Sequence, residues 1–139
     1  MDKREIGFTL NGAAVKSAAH GHARLSEVLR EELDAKDVKV GCNAGDCGAC
    51  TVLIDGVPVC ACLTSSAQAE GRDIQTLRGI APDLLGKLQS SFTAHQAAQC
   101  GICTPGMMVS AVALLREVPQ PSAAQVQDAL GGVLCRCTG

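Results

Sequence analysis

Tryptophan and tyrosine are absent from this chain, and phenylalanine occurs only at Phe8 and Phe92. Without aromatic platforms on which bases could stack, and with a net charge of -2 that offers phosphate no attracting field, the composition argues against nucleic-acid binding. No stretch approaches 18 uninterrupted apolar residues, and Met1 to Leu10 holds no apolar run of the kind an export signal needs. Neither a membrane span nor a signal peptide is expected, which makes the cytoplasm the default location. No general base, nucleophile or nucleotide-binding loop is evident either. What the chain does have is length for one ordinary domain or two small ones, 139 residues of which 47% are hydrophobic, and nine cysteines.

An odd cysteine count without an export signal favours metal ligation over disulfides. From Gly41 to Thr51 the chain reads Gly-Cys-Asn-Ala-Gly-Asp-Cys-Gly-Ala-Cys-Thr, so that Cys42, Cys47 and Cys50 are separated by four and then two residues. That is plant-type ferredoxin spacing, in which three thiolates on one loop wrap a two-iron, two-sulfide cluster and a fourth arrives from elsewhere. Cys62 is the candidate for the fourth. Gly41, Gly45 and Gly48 permit the positive φ angles and close backbone approach that let amides turn toward sulfur. A second set of four comprises Cys100, Cys103, Cys135 and Cys137, and Cys60 is left over. Cys60 rivals Cys62 as a ligand only if both lie on one regular strand; otherwise it is a small buried hydrophobe. Two tetrahedral zinc ions would consume the same eight thiolates and give a purely structural module. A stand-alone diffusible ferredoxin is the other alternative.

In chain order, Ile6, Phe8 and Leu10 alternate ahead of Asn11-Gly12, which predicts a strand, a hairpin turn and a return strand over Ala13 to Lys16. Leu25, Val28, Leu29 and Leu33 share one face of a helix expected from Arg24 to Leu33. Thr51 to Ile54 and Val57 to Cys60 flank Asp55-Gly56 as a second hairpin, with Pro58 marking its return strand as an edge. Asp73 to Leu77 supplies one more strand. Two hairpins, a helix across them and a final strand make an α+β unit of β-grasp type. Near Leu77 to Pro82 the apolar period lengthens to that of a helix, dividing the chain into residues 1–78 and 79–139. Helices are expected through Leu84, Leu85, Leu88 and Phe92, then from a Thr104 cap with Pro105 at the first helical position through Met108, Val112 and Leu115, and finally from a Ser122/Gln125 capping box to Gly131-Gly132. Met107 and Met108 are read as core, and His20, His22 and His95 as ordinary surface or loop residues. Arg136, lying between two cysteines, is in position to offset cluster charge.

The loop Gly41 to Val52, Cys62, the run from Gln99 to Met107 (Gln-Cys-Gly-Ile-Cys-Thr-Pro-Gly-Met), and Leu134 to Gly139 (Leu-Cys-Arg-Cys-Thr-Gly) together resemble the iron-sulfur subunit of the molybdenum hydroxylases, the xanthine dehydrogenase and aldehyde oxidase family. The resemblance covers essentially the whole chain, with four motifs in order. It implies a β-grasp domain holding one 2Fe-2S cluster through Cys42, Cys47, Cys50 and Cys62. It further implies a four-helix domain holding a second through Cys100, Cys103, Cys135 and Cys137, with Gln99 and Cys137 facing a molybdopterin. On that likeness the molybdopterin belongs to a large partner subunit and FAD to another, and this chain passes electrons between them without breaking substrate bonds. The sequence departs from the family pattern at Ala44, where many members carry Glu, at Ile102, where an aromatic residue is common, and after Gly139, where members usually continue with tyrosine.

Overall fold

The computed structural model describes residues 4–138. Met1 to Lys3 and Gly139, the outer limits of the two expected units, lie outside the described residues. Strands β1 (Ile6–Leu10) and β2 (Ala13–Ser17) form the first hairpin, closed by Asn11 at φ 51° and Gly12 at φ 85°, and β3 (Thr51–Ile54) and β4 (Val57–Cys60) form the second, closed by Asp55 at φ 50° and Gly56 at φ 81°. Two consecutive positive φ angles are what a two-residue hairpin turn demands, and Asn-Gly and Asp-Gly meet that demand at least cost. β5 (Asp73–Gln75) pairs parallel with β1 and antiparallel with β3, giving one five-stranded mixed sheet in the order β2-β1-β5-β3-β4. β4, with Pro58, is an edge strand as expected. β5 is shorter than its apolar pattern suggested, because Leu77–Gly79 turns away as a 3-10 turn.

The segment after the first hairpin is helical but not uniformly so. One α-turn, α1 (Leu25–Glu27), runs into a π-helical turn over Val28–Glu32, closed by the Leu33 amide donating to the Val28 carbonyl at 3.1 Å. Leu25, Val28 and Leu29 are fully buried against Ile6, Phe8, Val52 and Ile74, while Leu33 sits at the margin of the same core. The wider turn has no marker in the side-chain sequence, since π-turns arise from the fit of the backbone to its surroundings.

Beyond residue 79 the described residues contain three α-helices, one fewer than the resemblance implies: α2 (Pro82–Ala94), α3 (Thr104–Glu117) and α4 (Ala123–Leu130). The Ser122/Gln125 capping box forms as expected, with the Gln125 amide donating to Ser122 Oγ at 3.2 Å. At α3 the expectation is off by one residue. Cys103 occupies the cap position and Thr104 is already helical, which places Pro105 in the first turn without loss of a helical bond. Met108 is buried as expected, but Met107 only partly so.

The two halves meet on β3. Val52 points into the first core, whereas Leu53 points to the opposite face of the sheet and packs with Ile80, Val109 and Val112. One strand therefore serves both cores, by the two-residue alternation of strand side chains. Leu53→Ala is expected to cost about 2–5 kcal/mol through the transfer and cavity terms. A chemical-denaturation midpoint reads this loss, and a cost under about 1 kcal/mol would mean that α3 can collapse onto the sheet without it.

Candidate metal centres

Residues 41–50 form an irregular loop leading into β3, bent at Asn43 (φ 55°), Gly45 (φ 76°) and Gly48 (φ 72°). Those bends aim successive amides at sulfur. The N–H groups of Ala44, Asp46 and Cys47 all donate to Cys42 Sγ, at 3.3, 3.4 and 3.4 Å, and that of Ala49 donates to Cys47 Sγ at 3.4 Å. The amide of Cys62, in the 3-10 turn Ala61–Leu63 after β4, donates to Cys50 Sγ at 3.4 Å. Thr51 Oγ1 donates to the Gly48 carbonyl at 2.6 Å and fastens the loop to β3. The Cys42 thiol is drawn down to about 6, chiefly by the Cys47 amide, then by those of Ala44 and Asp46. Cys50 and Cys62 are deeper, and burial pushes both thiols up.

The second set is assembled from helix ends. Cys100 and Cys103 flank a turn with Gly101 at φ 85° between α2 and α3, and Cys135 and Cys137 follow α4 after Gly131-Gly132. The Cys100 thiol is lowered by the Ile102 amide and then by the side chain of Cys137. Cys135 is drawn down to about 6 by Thr138, whose Oγ1 lies 3.0 Å and whose N–H lies 3.3 Å from Cys135 Sγ. Cys103 is buried and its thiol is pushed up by that burial. Gln99 is exposed beside Cys100, and Cys137 is also exposed.

Sulfurs in both sets accept from backbone amides: Cys42, Cys47 and Cys50 in the first, and Cys135 in the second. The amides aimed at sulfur suit a two-iron cluster held by four cysteines, whose charge they stabilise. Cys60 ends β4 half-buried, not fully buried as expected of a small hydrophobe, with Sγ 3.9 Å from the Gly45 carbonyl oxygen.

The two sets touch through backbone. The Leu134 amide, one residue before Cys135, donates to the carbonyl of Cys47 at 2.8 Å. A crevice of about 120 Å³ beside that bond is lined by Cys47 from one set, by Cys100, Cys103 and Cys135 from the other, and by Arg136. Close approach here depends on two glycines. A Cβ on Gly48 would stand 2.1 Å from the Gly132 carbonyl oxygen, and one on Gly106, in the first turn of α3, would stand 2.6 Å from the Gly48 carbonyl oxygen. The need for Gly48 is partly readable from its place among the cysteines; that for Gly106 is not, because its neighbour lies 58 residues away (106 − 48 = 58).

Residues 8–77 match the family described as the 2Fe-2S iron-sulfur cluster binding domain, and residues 76–139 the 2Fe-2S binding domain. The chain is 44% identical over 139 residues to a probable xanthine dehydrogenase subunit of Bacillus subtilis, covering 100% of this chain and 80% of that protein. It is 44% identical over 142 residues to the nicotinate dehydrogenase small FeS subunit of Eubacterium barkeri, covering 100% and 89%. Among solved structures it resembles a chain of quinoline 2-oxidoreductase from Pseudomonas putida 86 with a TM-score of 0.91 and 43% identity, covering 98% of this chain and 85% of that one.

Proposed function

The chain belongs to the iron-sulfur subunits of the molybdenum hydroxylases, and we propose from that premise that it relays electrons singly from a molybdenum centre on one partner chain to FAD or another acceptor. On this reading residues 1–78 are a β-grasp ferredoxin domain and residues 79–139 a helical one. Cys42, Cys47, Cys50 and Cys62 hold one 2Fe-2S cluster, and Cys100, Cys103, Cys135 and Cys137 hold the other. The observation that carries the reading is the array of backbone amides aimed at the sulfurs of Cys42, Cys47 and Cys50, joined to the Cys100 set by the Leu134 to Cys47 hydrogen bond.

When bound, each cluster supplies a one-electron redox couple at a potential set by burial, charge and hydrogen bonds to sulfur. The chain's own residues do the rest. The amides of Ala44, Asp46, Cys47, Ala49 and Cys62 hold partial positive charge against cysteine sulfur. Burial of Cys50, Cys62 and Cys103 keeps one side of each set from water, while the exposed Cys42 and Cys137 lie toward the surface. Gln99 and Cys137, both exposed, are assigned to the face that meets the pterin of the large subunit. Among the described residues no helix is long and apolar enough to cross a membrane. Free thiols in this number suit a reducing compartment, and the cytoplasm is the proposed setting.

Anaerobically purified protein is expected to be red-brown and to hold about four irons and about four acid-labile sulfides, two of each per cluster. Colourless protein with two zinc ions would overturn the reading in favour of a structural module. Recovery from the native source as a free chain, with no large molybdopterin-binding partner, would favour a diffusible ferredoxin instead.

A further inference from the structure

Arg24 lies just before α1, 18 residues ahead of the first cysteine, yet its side chain ends at the cysteine loop (42 − 24 = 18). Its Nη1 donates to the carbonyl of Asn43 and to the carbonyl of Cys62, each at 2.9 Å. Its backbone is held against the same turn: the Leu25 amide donates to the Thr64 carbonyl and the Ser66 amide to the Ala23 carbonyl, each at 2.8 Å. The Asn43 carbonyl belongs to the same peptide unit as the Ala44 N–H, and that N–H donates to Cys42 Sγ at 3.3 Å. A guanidinium, one peptide and a cysteine sulfur therefore form a single hydrogen-bonded chain.

The geometry points to Arg24 as a positioning residue that raises the reduction potential of the cluster held by the Cys42 set, acting through the Asn43–Ala44 peptide. The inference rests on the functional reading above. A cation bonded to a peptide oxygen polarises that peptide and strengthens the bond made by its N–H. A stronger N–H donor to sulfur, together with a positive charge nearby, favours the form of the cluster carrying one more electron. The same guanidinium ties the Asn43–Ala44 peptide to the carbonyl of Cys62, and so joins a ligand loop to the turn that supplies its fourth ligand. Its pairing with Glu27 Oε1, at 3.9 Å and largely in water, is too loose to neutralise it. Among the described residues, the hydrogen bonds and ion pair of Arg24 go to Asn43, Cys62 and Glu27 and none to the Cys100 set, so the effect is expected at one cluster.

The test is a redox titration of the cluster-loaded protein in its native assembly, followed by paramagnetic resonance so that the two clusters are read separately. Arg24→Gln is expected to shift the reduction equilibrium of the Cys42-set cluster about tenfold toward the oxidised form, about 59 mV for a one-electron couple. The other cluster should keep its potential, and iron content should be retained. Arg24→Lys keeps the charge but replaces the planar guanidinium, whose Nη1 donates to both carbonyls, by a flexible ammonium, and should give a smaller shift of the same sign. If the Gln variant loses iron, the Lys variant decides: a negative shift supports the inference and an unchanged potential overturns it. An unchanged potential in an iron-replete Gln variant, equal shifts of both clusters, or loss of iron from both variants would overturn it as well. Failure of the functional reading is distinguishable, because it appears in the metal content of the unsubstituted chain.

Discussion

Gly48→Ala is expected to remove iron from both cysteine sets and to lower the stability of the chain by more than about 4 kcal/mol, a loss reached by few single substitutions. Two independent costs add. At φ 72° an alanine pays about 1–2 kcal/mol for a left-handed backbone. Its Cβ would also stand 2.1 Å from the Gly132 carbonyl oxygen and 2.9 Å from Val133 Cα, both backbone atoms that cannot rotate aside. The relief available is to separate the cysteine loop from residues 132–134, which breaks the Leu134 to Cys47 bond and displaces Cys135. Gly56→Ala is the matched control, since Gly56 has φ 81° with nothing within 4 Å of an added Cβ, and it should show the backbone cost alone. Denaturation midpoints and iron per chain for the two variants separate the steric part from the conformational part. Equal losses would mean that the junction is soft enough to yield.

The second large effect concerns the order of the two centres. Cys47→Ser removes one ligand from the first set, so iron should fall from about four to about two per chain while the resonance signal assigned to the Cys100 set persists. On mixing the assembled variant with substrate and freezing rapidly, that remaining signal should still appear, and delivery to the final acceptor should stall. Cys137→Ser should be the more damaging change. It removes a ligand of the second set and, at the same exposed position, a neighbour assigned to the pterin, so it should impair association with the molybdenum chain as well as electron entry. These outcomes follow if the Cys100-set cluster is the first acceptor from molybdenum and the Cys42-set cluster the second, and normal-speed appearance of the first-set signal in a variant lacking only the second cluster would reverse that order.

Local chemistry made much of this molecule readable in advance. Asn11-Gly12 and Asp55-Gly56 carry their turn geometry in their own side chains, Ser122 and Gln125 form their cap over three residues, and the cysteine spacing marks the two sets proposed as ligands. What stayed hidden depends on neighbours remote in the chain. Nothing around Val28 to Glu32 signals a wider turn, and nothing in Asp73–Gln75 reveals that this short strand lies parallel to β1 at the centre of the sheet. Leu53 reads as one more apolar residue in a strand, yet it anchors the helical half. Arg24 reads as the polar start of a helix, and its part in the site appears only once Asn43 and Cys62 are folded beneath it. Cys60 reads as a small buried hydrophobe and is half-buried beside the Gly45 carbonyl.

The strand order also sets a timetable for biosynthesis. β5 lies between the two hairpins but is the last of the five strands to leave the ribosome, so each hairpin must wait for it before they can join into one sheet. Cys42, Cys47, Cys50 and Cys62 all emerge before Asp73–Gln75, which means that the first proposed ligand set is synthesised while the frame that holds it is still in two pieces. Contacts that close late in the chain are slow to form and leave earlier segments exposed meanwhile. Four uncovered thiols on a growing chain are therefore a stage built into this topology, and whatever supplies iron and sulfide meets a loop that becomes a receptor only after residue 75 has been added.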